Sequence, residues 1–338
     1  DRGEVDNLIL VNVNPVYSLG GFDAIKKVGF TAYLGSSLNE TAAACQLICP
    51  DHHYLEAWGD AEPLTSSYSL QQPCIHPLFN SRAWQDSLLK WAGEQTSYED
   101  LLKNWWLTAI APRESKGDEN WWVKTLQAGY YVPGNEPMPA STSYAPPRVV
   151  LDPPLTKLSM SLYTPVGLND GRHANNPWLQ ELPDPVSKVC WDNYLAISPS
   201  DAEELGLEDE MLVRVDGLEL PVLIQPGQAR GTMSLALGYG REMAGKVGDG
   251  IGINGFKWLG WRNGNRHYTR ADISLEATGR TYPIARTQTH HTMEGRPIVR
   301  ETTLKEYQSD PHAGNHFHLE AEAHHQTLYP DVEFDGYH

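Results

Sequence analysis

The chain has 338 residues and carries 43 acidic against 26 basic side chains, which gives a formal net charge of −17. This length suits two domains of about 100–200 residues each, and no apolar run approaches the ~18 residues of a membrane-spanning helix, so we expect a soluble globular protein. The surplus of negative charge disfavours nonspecific binding to nucleic acid or to an anionic membrane surface, although it leaves a basic partner open.

The first elements are predicted to alternate between strands and short helices. The sequence starts at Asp1 rather than Met and has no charged-then-apolar leader, so we expect a mature or cut chain. Residues 8–13 are aliphatic except for Asn12 and predict a buried strand. A turn is predicted at 14–18, and a short helix over 22–28.

Two more strands are predicted after this helix. They cover 30–34 and 46–49, and between them the polar stretch 36–41 is typical of a helix cap. Strands separated by short helices predict a parallel sheet.

Ligands of open parallel sheets bind beyond the carboxyl ends of the strands. We therefore expect any cofactor to approach the loops 14–18 and 35–40. Neither loop contains a G-x-G-x-x-G, so a simple dinucleotide fingerprint is not predicted there.

The four cysteines do not form a recognisable metal-binding set. They lie at positions 45, 49, 74 and 190, and none is in a C-x-x-C pair, so spacing assembles neither an iron–sulfur site nor a zinc ribbon. We interpret them as small buried thiols rather than as a disulfide scaffold, and they leave the redox compartment open.

Helical spacing of tryptophan and leucine characterises residues 83–129. Core and lid packing is the favoured interpretation, and an aromatic substrate funnel or a partner docking face is the alternative. Residues 132–154 hold seven prolines and are predicted to form a connecting segment.

A second domain is predicted from Leu155, with β-like runs at 212–215, 218–224 and 233–237 that favour a largely antiparallel or barrel-like sheet. One short helix is predicted with Ser200 as its cap, Glu203 at the capping-box position and Gly206 as its stop.

Eight glycines fall within residues 238–260. Their density is explained about equally by close approach of the backbone to a ligand or to another backbone and by loop flexibility.

The last part of the chain, from Tyr282, is polar and rich in histidine, with eight of the thirteen His between His290 and His338. Adventitious metal binding is one interpretation, and its candidates are His312, His316, His318, His324 and His325. The favoured interpretation is a linker that lies on a partner's surface.

Several phrases together resemble one protein family. They are Asn14-Pro15-Val16-Tyr17-Ser18, Asn39-Glu40-Thr41-Ala42, Leu47-Ile48-Cys49-Pro50-Asp51, Leu55-Glu56-Ala57-Trp58-Gly59-Asp60 and Gln71-Gln72-Pro73, which resemble the later α/β lobe of the molybdopterin oxidoreductases. The polysulfide-reductase branch is the most similar. Residues 175–183 and 197–207 resemble the C-terminal barrel domain of the same family, so the resemblance covers roughly residues 8–258.

The resemblance implies a specific fold class and four regions. An α/β lobe with a parallel sheet, part of the molybdopterin-oxidoreductase fold, would cover 1–82, and a helical and Pro-rich connecting region 83–154. A β-barrel domain of the six-stranded type would cover 155–281, and an extended His-rich tail 282–338.

The resemblance also implies that the chain is the C-terminal half of a longer subunit. Family members carry their iron–sulfur region and their molybdenum ligand in an N-terminal half that has no counterpart here. In bacterial alternative complex III, one fused subunit joins a molybdopterin-oxidoreductase-like part to a ferredoxin-like domain, and the closing residues 329–338 resemble that join. The molybdopterin-like part of the fused subunit is understood to hold no molybdenum cofactor.

The family pattern implies a set of candidate pterin contacts. Arg and Lys would pair with pterin phosphates, while Asn would hydrogen-bond ring edges. The candidates are Asn14, Ser18, Arg172, His173, Asn175, Asn176, Asn254 and Lys257. Each also has a plain structural interpretation, such as a turn at Asn175-Asn176-Pro177 or an ion pair at Arg172.

Other catalytic patterns are weaker. No G-x-S-x-G elbow, H-E-x-x-H helix or Walker lysine loop is present in the sequence. His52-His53 is compatible with acid–base chemistry, but a surface or packed pair is favoured, and Asp51 and Glu56 are possible paired carboxylates.

Three hypotheses follow. The first is a cofactor-free scaffold in a respiratory quinol:acceptor complex, with iron–sulfur clusters in an adjoining ferredoxin-like domain. Its partners would be multi-haem and mono-haem cytochrome c subunits and integral membrane quinol-binding subunits of the polysulfide-reductase type, on the outer (periplasmic) face of the cytoplasmic membrane after Tat export. The second is the clamping half of a polysulfide- or thiosulfate-reductase molybdoenzyme, and the third is a binding module without redox partners.

Overall fold

The computed structural model describes residues 3–20, 22–134, 158–262, 264–288 and 301–314. The chain divides into two units, Asp1–Thr287 and Gln288–His338. Predictions that concern residues 135–157 and 315–338, including most of the Pro-rich segment, the boundary at Leu155 and four of the five tail histidines, lie outside the described residues. No helix in the described part is long and apolar enough to cross a membrane.

The chain begins with an α/β lobe built on a three-stranded parallel sheet. Its strands and helices are, in order, β1 (Asn7–Val11), α1 (Pro15–Ser18), β2 (Phe30–Gly35), α2 (Glu40–Ala44) and β3 (Leu47–Pro50). The strands pair in the order β1-β2-β3. The predicted parallel sheet is therefore confirmed.

Two helical segments of this lobe differ from their predictions. The predicted helix over 22–28 is a 3₁₀ turn at Asp23–Lys27. Helix α1 was expected only as a turn, and it forms because Pro15 occupies its first position, where the missing N–H costs nothing.

A small subdomain follows, in which helices pack on an antiparallel sheet. Its elements are β4 (Gly59–Leu64), β5 (Ser67–Gln71), α3 (Trp84–Ala92), α4 (Tyr98–Trp105), α5 (Glu119–Ala128) and β6 (Tyr130–Tyr131). Trp106 and Trp122 form its core, and the Trp106 indole donates to Asp60 at 2.9 Å. Trp91 and Trp105 lie at the surface. The predicted core packing is therefore found for some of the tryptophans and not for others.

The region from residue 158 is organised around a seven-stranded sheet. Its elements in chain order are β7 (Ser159–Tyr163), α6 (Pro177–Glu181), β8 (Leu195–Ile197), α7 (Pro199–Leu205), β9 (Met211–Val215), β10 (Leu218–Ile224), β11 (Thr232–Ala236), β12 (Gly260–Arg262), β13 (Asn265–His267), β14 (Thr269–Arg270) and β15 (Glu276–Thr281). We call this region, 158–287, the seven-stranded domain.

The seven strands are ordered β14-β7-β11-β8-β10-β9-β15, and β12 and β13 form a separate hairpin. The pairs β8·β10 and β7·β11 are parallel and the other four are antiparallel. Within the described residues the edge strands β14 and β15 do not pair with each other, so a closed barrel stays a prediction.

The cap of α7 differs from the predicted one. Ser198, not Ser200, is the N-cap, and its Oγ accepts from the Asp201 amide at 3.1 Å. The prediction was wrong because Pro199 fits the first helical position and places the cap one residue before it. Gly206 ends the helix with a φ of 63°, as predicted.

The Gly-rich stretch is packed against other backbone rather than open. A Cβ added at Gly240 would lie 2.1 Å from the Asn254 amide nitrogen, and one at Gly248 would lie 2.7 Å from the Ala174 carbonyl oxygen. Close backbone approach, the first of the two interpretations, therefore explains these positions.

The second unit contains one described helix, α8 (Leu304–Ser309). Thr303 and Glu306 form a complete capping box at its start.

Candidate functional site

A cleft of about 1010 Å³ opens at the carboxyl ends of β1, β2 and β3. This is the edge at which parallel sheets bind ligands. The α/β lobe contributes residues that follow each strand, including Asn12 and Asn14 after β1, Ser36 and Asn39 after β2, and His52 and His53 after β3. Side chains from both loops expected to approach a ligand, 14–18 and 35–40, therefore line it.

The opposite wall of the cleft comes from the seven-stranded domain. It contributes Asp170, Arg172, His173, Arg241, Phe256, Arg266 and Tyr268. The cleft is therefore lined by several cationic and aromatic groups, although the two carboxylates described below neutralise two of its three arginines.

The structure brings four of the eight candidate pterin contacts into this cleft. Asn14, Ser18, Arg172 and His173 line it. The remaining four, Asn175, Asn176, Asn254 and Lys257, are not among its lining residues.

The side chains of Asn14 and Asn254 already bond within the protein. Asn14 Nδ2 donates to Glu40 Oε2 at 2.7 Å, and its Oδ1 accepts from the Thr41 hydroxyl at 2.8 Å. Asn254 Nδ2 donates to the Tyr17 carbonyl at 3.2 Å, and its Oδ1 accepts from the Phe256 amide at 3.0 Å. Both amides therefore use a donor and an acceptor on protein groups.

The next two candidates organise local backbone. Asn175 Oδ1 accepts from the Val247 amide at 3.1 Å, and its side chain packs where a Cβ on Gly245 would lie. Asn176 is the N-cap of α6 and accepts from the amides of Trp178 and Leu179. The plain turn interpretation of Asn175-Asn176-Pro177 describes both.

Arg172 is held by a neighbouring carboxylate. Its Nε and Nη2 donate to the two oxygens of Asp170 at 2.9 and 2.8 Å. The hydrogen bonds from Arg172 outweigh burial and lower the pKa of Asp170, while those to Asp170 raise the pKa of Arg172. His173 and Lys257 are exposed.

Two charged side chains with little exposure meet beside the cleft, Glu40 and Arg241, and neither was predicted as a site residue. Their side chains are 10% and 6% exposed, and they come from the α/β lobe and the seven-stranded domain respectively. Arg241 Nε donates to Glu40 Oε1 at 2.8 Å, and Nη2 donates to Oε2 at 2.9 Å. Glu40 stood in a phrase of the family resemblance, whereas nothing local distinguished Arg241.

Glu40 is held in place by its own helix. Asn39 caps α2 by accepting from the Ala42 amide at 2.8 Å, so Glu40 occupies the first turn of the helix. A carboxylate at this position is stabilised by the helix dipole. Burial alone would raise the pKa of Glu40, but hydrogen bonds from Arg241, Asn14 and the Glu242 amide lower it to about 2.

Tyr17 lies beside this ion pair, between the α/β lobe and the seven-stranded domain. Its ring centroid is 4.9 Å from the Arg241 guanidinium carbon, which is within cation–π range. Its hydroxyl donates to the Tyr239 carbonyl at 2.6 Å. Burial raises the pKa of Tyr17 well above its ordinary value, so the phenol stays protonated at neutral pH.

The loop after β3 is structured by its two carboxylates. Asp51 accepts from the side chain of Asn12 and the amide of Trp84, both at 2.9 Å. Glu56 accepts from the amides of His53 and Leu78 at the same distance. Paired carboxylate catalysis therefore gains no support from these contacts.

The cysteines and histidines of the described part do not converge. All four thiols are free, with Cys190 buried and Cys74 exposed. Within the described residues no group of three or more His, Cys, Asp or Glu side chains is arranged to hold a metal ion. The His52 ring bonds the Ser81 hydroxyl at 2.8 Å instead.

These contacts test how well the side chains present fit a pterin. A pterin ring needs amide donors and acceptors that are open to it, but the one candidate amide that lines the cleft, Asn14, is bonded to protein, and Arg172 is paired with Asp170. Four of the eight candidates bond within their own region, and Asn254 bonds across from the seven-stranded domain to the α/β lobe, so five of the eight already have protein partners. The assignment of these eight residues to a cofactor stays a prediction.

Comparisons with known proteins give one sequence relative and a shared fold. No protein-family profile matches the chain. It is 26% identical over 269 residues to the menaquinone reductase, molybdopterin-binding-like subunit of Nitratidesulfovibrio vulgaris, a match that covers 73% of this chain and 38% of the relative. It shares its fold with acetylene hydratase from Pelobacter acetylenicus, with a TM-score of 0.51 and 14% identity over 80% of this chain and 44% of that one.

Both findings fit a molybdopterin oxidoreductase-like subunit, so the resemblance predicted from the sequence is confirmed. The chain spans less than half the length of each of these two proteins.

Proposed function

We propose that this chain is a scaffold in a quinone-linked respiratory oxidoreductase complex of the alternative complex III type, and that it binds no cofactor itself. The observation that carries the proposal is that Asn14, which lines the cleft, bonds to Glu40, and Glu40 in turn binds Arg241 of the seven-stranded domain. The relative's description as a menaquinone reductase subunit that is molybdopterin-binding-like supports a quinone-linked role.

The proposal includes an assembly around the chain. Electrons would pass from quinol through iron–sulfur clusters in an adjoining ferredoxin-like domain to multi-haem and mono-haem cytochrome c subunits. Integral membrane quinol-binding subunits would hold the assembly on the periplasmic face of the cytoplasmic membrane after Tat export. A closed barrel in the seven-stranded domain belongs to the same proposal.

The assembly is tested by affinity purification of the full-length protein from detergent-solubilised native membranes. We expect c-type haem to co-purify and to be reduced when a quinol is added. A protein that purifies alone, with no haem and no quinol-dependent reduction, would contradict the proposal.

One observation favours the alternative, in which this segment is the cofactor-clamping half of a polysulfide- or thiosulfate-reductase molybdoenzyme. The cleft is large, and Ser18, Arg172 and His173 line it. This alternative predicts that Arg172→Gln and Asn175→Ala together abolish pterin retention. Unchanged pterin content in the double variant would exclude it.

A further inference from the structure

We propose that Glu40 and Arg241 form a latch that fixes the orientation of the α/β lobe against the seven-stranded domain and so sets the width of the cleft. The two residues are 201 positions apart in the sequence and meet beneath the cleft, which Arg241 also lines. This inference is independent of the function proposed above.

The first argument is the completeness of the hydrogen bonding. Besides Arg241, the Glu40 carboxylate accepts from Asn14 Nδ2 at 2.7 Å and from the amides of Glu242 and Met243 at 2.9 and 3.2 Å. Arg241 Nη1 also donates to the Gly171 carbonyl. A buried ion pair is tolerated only when its remaining hydrogen-bonding groups are satisfied in this way.

The second argument is that the contact joins two separate layers. Glu40 and Asn14 belong to the α/β lobe, whereas Arg241, Glu242 and Met243 belong to the seven-stranded domain. A guanidinium donates two parallel hydrogen bonds to a carboxylate in one planar arrangement. The pair therefore restricts the angle between the α/β lobe and the seven-stranded domain as well as the distance between them.

The third argument is close packing around the pair. A Cβ added at Gly20 would lie 2.9 Å from the Phe256 carbonyl oxygen, and one at Gly171 would lie 3.1 Å from the Tyr17 ring. The Tyr17 and Phe256 rings meet edge to face with centroids 5.2 Å apart. The α/β lobe and the seven-stranded domain are therefore in direct contact beside the ion pair.

The energetics favour a role in orientation over one in net stability. Desolvation of two charges largely cancels their attraction, so an apolar pair of similar volume often gives equal stability. What an apolar pair lacks is a preferred angle. A buried pair kept at the junction of two layers is therefore best explained by the geometry that it imposes.

The first test needs no substitution. Hydrogen exchange of the Glu242 and Met243 amides is measured in the 338-residue chain and compared with that of strand β10. The latch predicts protection of both amides although both residues are exposed, because their N–H groups donate to Glu40. Exchange at the rate of unprotected amides would overturn the proposal.

The second test measures the orientation itself by pulsed electron paramagnetic resonance. Spin labels are attached to p-acetylphenylalanine placed at Ser37 and Asn265, which are exposed on opposite layers, so that the four native thiols stay untouched. For the unsubstituted protein, the proposal predicts one narrow distribution of distances between the two spin labels. A broad or two-peaked distribution in that protein would itself contradict a fixed orientation.

The variants are Glu40→Gln, which keeps the shape of the side chain, and Arg241→Lys, which keeps the charge but not the fork. Both are expected to widen the distribution by about twofold and to speed exchange at Glu242 and Met243 by about tenfold or more. The matched control is Glu219→Gln, which removes an ion pair with Arg214 inside the seven-stranded domain. Distributions as narrow in both latch variants as in the control would overturn the proposal.

Discussion

At the scale of single residues, several polar groups in and beside the cleft already have partners within the protein. Asn14 connects to Glu40, and Asn254 connects to the backbone of Tyr17. Buried donors and acceptors are costly when unpaired, so a side chain that already has its partners has little reason to leave them for a ligand. Because these side chains already have protein partners, we favour a scaffold over a pterin clamp.

The stability of the chain should depend on pH through Glu40. Its pKa is lowered from 4.5 to about 2 in the folded state, chiefly by Arg241 and Asn14, which together outweigh burial. The stabilisation is therefore fully present above about pH 5 and is lost as the pH falls toward 2, with a magnitude on the order of 3 kcal/mol.

Urea denaturation at pH 6 and at pH 3 measures this effect as a change in the free energy of unfolding. We expect the decrease between the two pH values to be smaller in Glu40→Gln than in the unsubstituted chain, because the variant has no carboxyl to protonate at this position. Equal decreases in the two proteins would show that Glu40 does not carry the effect.

At the scale of elements, the α7 cap gives a second prediction. Ser198→Ala removes the Oγ that accepts from the Asp201 amide and should cost about 1–2 kcal/mol of unfolding free energy. Ser200→Ala lies two residues inside the helix and serves as the control, with an expected change within about 0.5 kcal/mol. Thermal or urea unfolding of the two variants decides the position of the cap, and a larger loss in Ser200→Ala would contradict it.

The elements that were predictable from the sequence are those with a strong local signal. Strands β1, β2 and β10 are rich in apolar residues, and Gly206 marks a helix end by its backbone freedom. Strand β4 gave no such signal, because five of its six residues are exposed, and it is held by pairing with β5 and by the bond from Trp106 to Asp60. Propensity cannot predict a strand whose stability comes from its partner.

The site was only partly predictable for a related reason. The loops after parallel strands were found because strand direction alone determines where they gather. The Glu40–Arg241 pair was not found, because a contact between residues 201 positions apart leaves no periodic trace in the sequence. The hydrogen-bond partners of Asn14 and Asn254 depend on the same long-range arrangement.

At the scale of the whole molecule, two layers of different architecture share one cleft. The α/β lobe presents strand ends, the seven-stranded domain presents cationic and aromatic side chains, and Glu40 with Arg241 joins them. The fold is that of the molybdopterin oxidoreductases, whereas the bonding inside the cleft favours a structural use of it. The central claim is therefore that a fold associated with a cofactor serves here as a scaffold.

The most direct test of this claim is the molybdenum and pterin content of the full-length protein, purified in its native assembly and measured by elemental analysis and by fluorescence of the oxidised pterin. The scaffold predicts that both remain far below one equivalent per chain, even when molybdate is abundant during growth. Stoichiometric molybdenum with bound pterin would contradict it and establish the cofactor-clamping alternative.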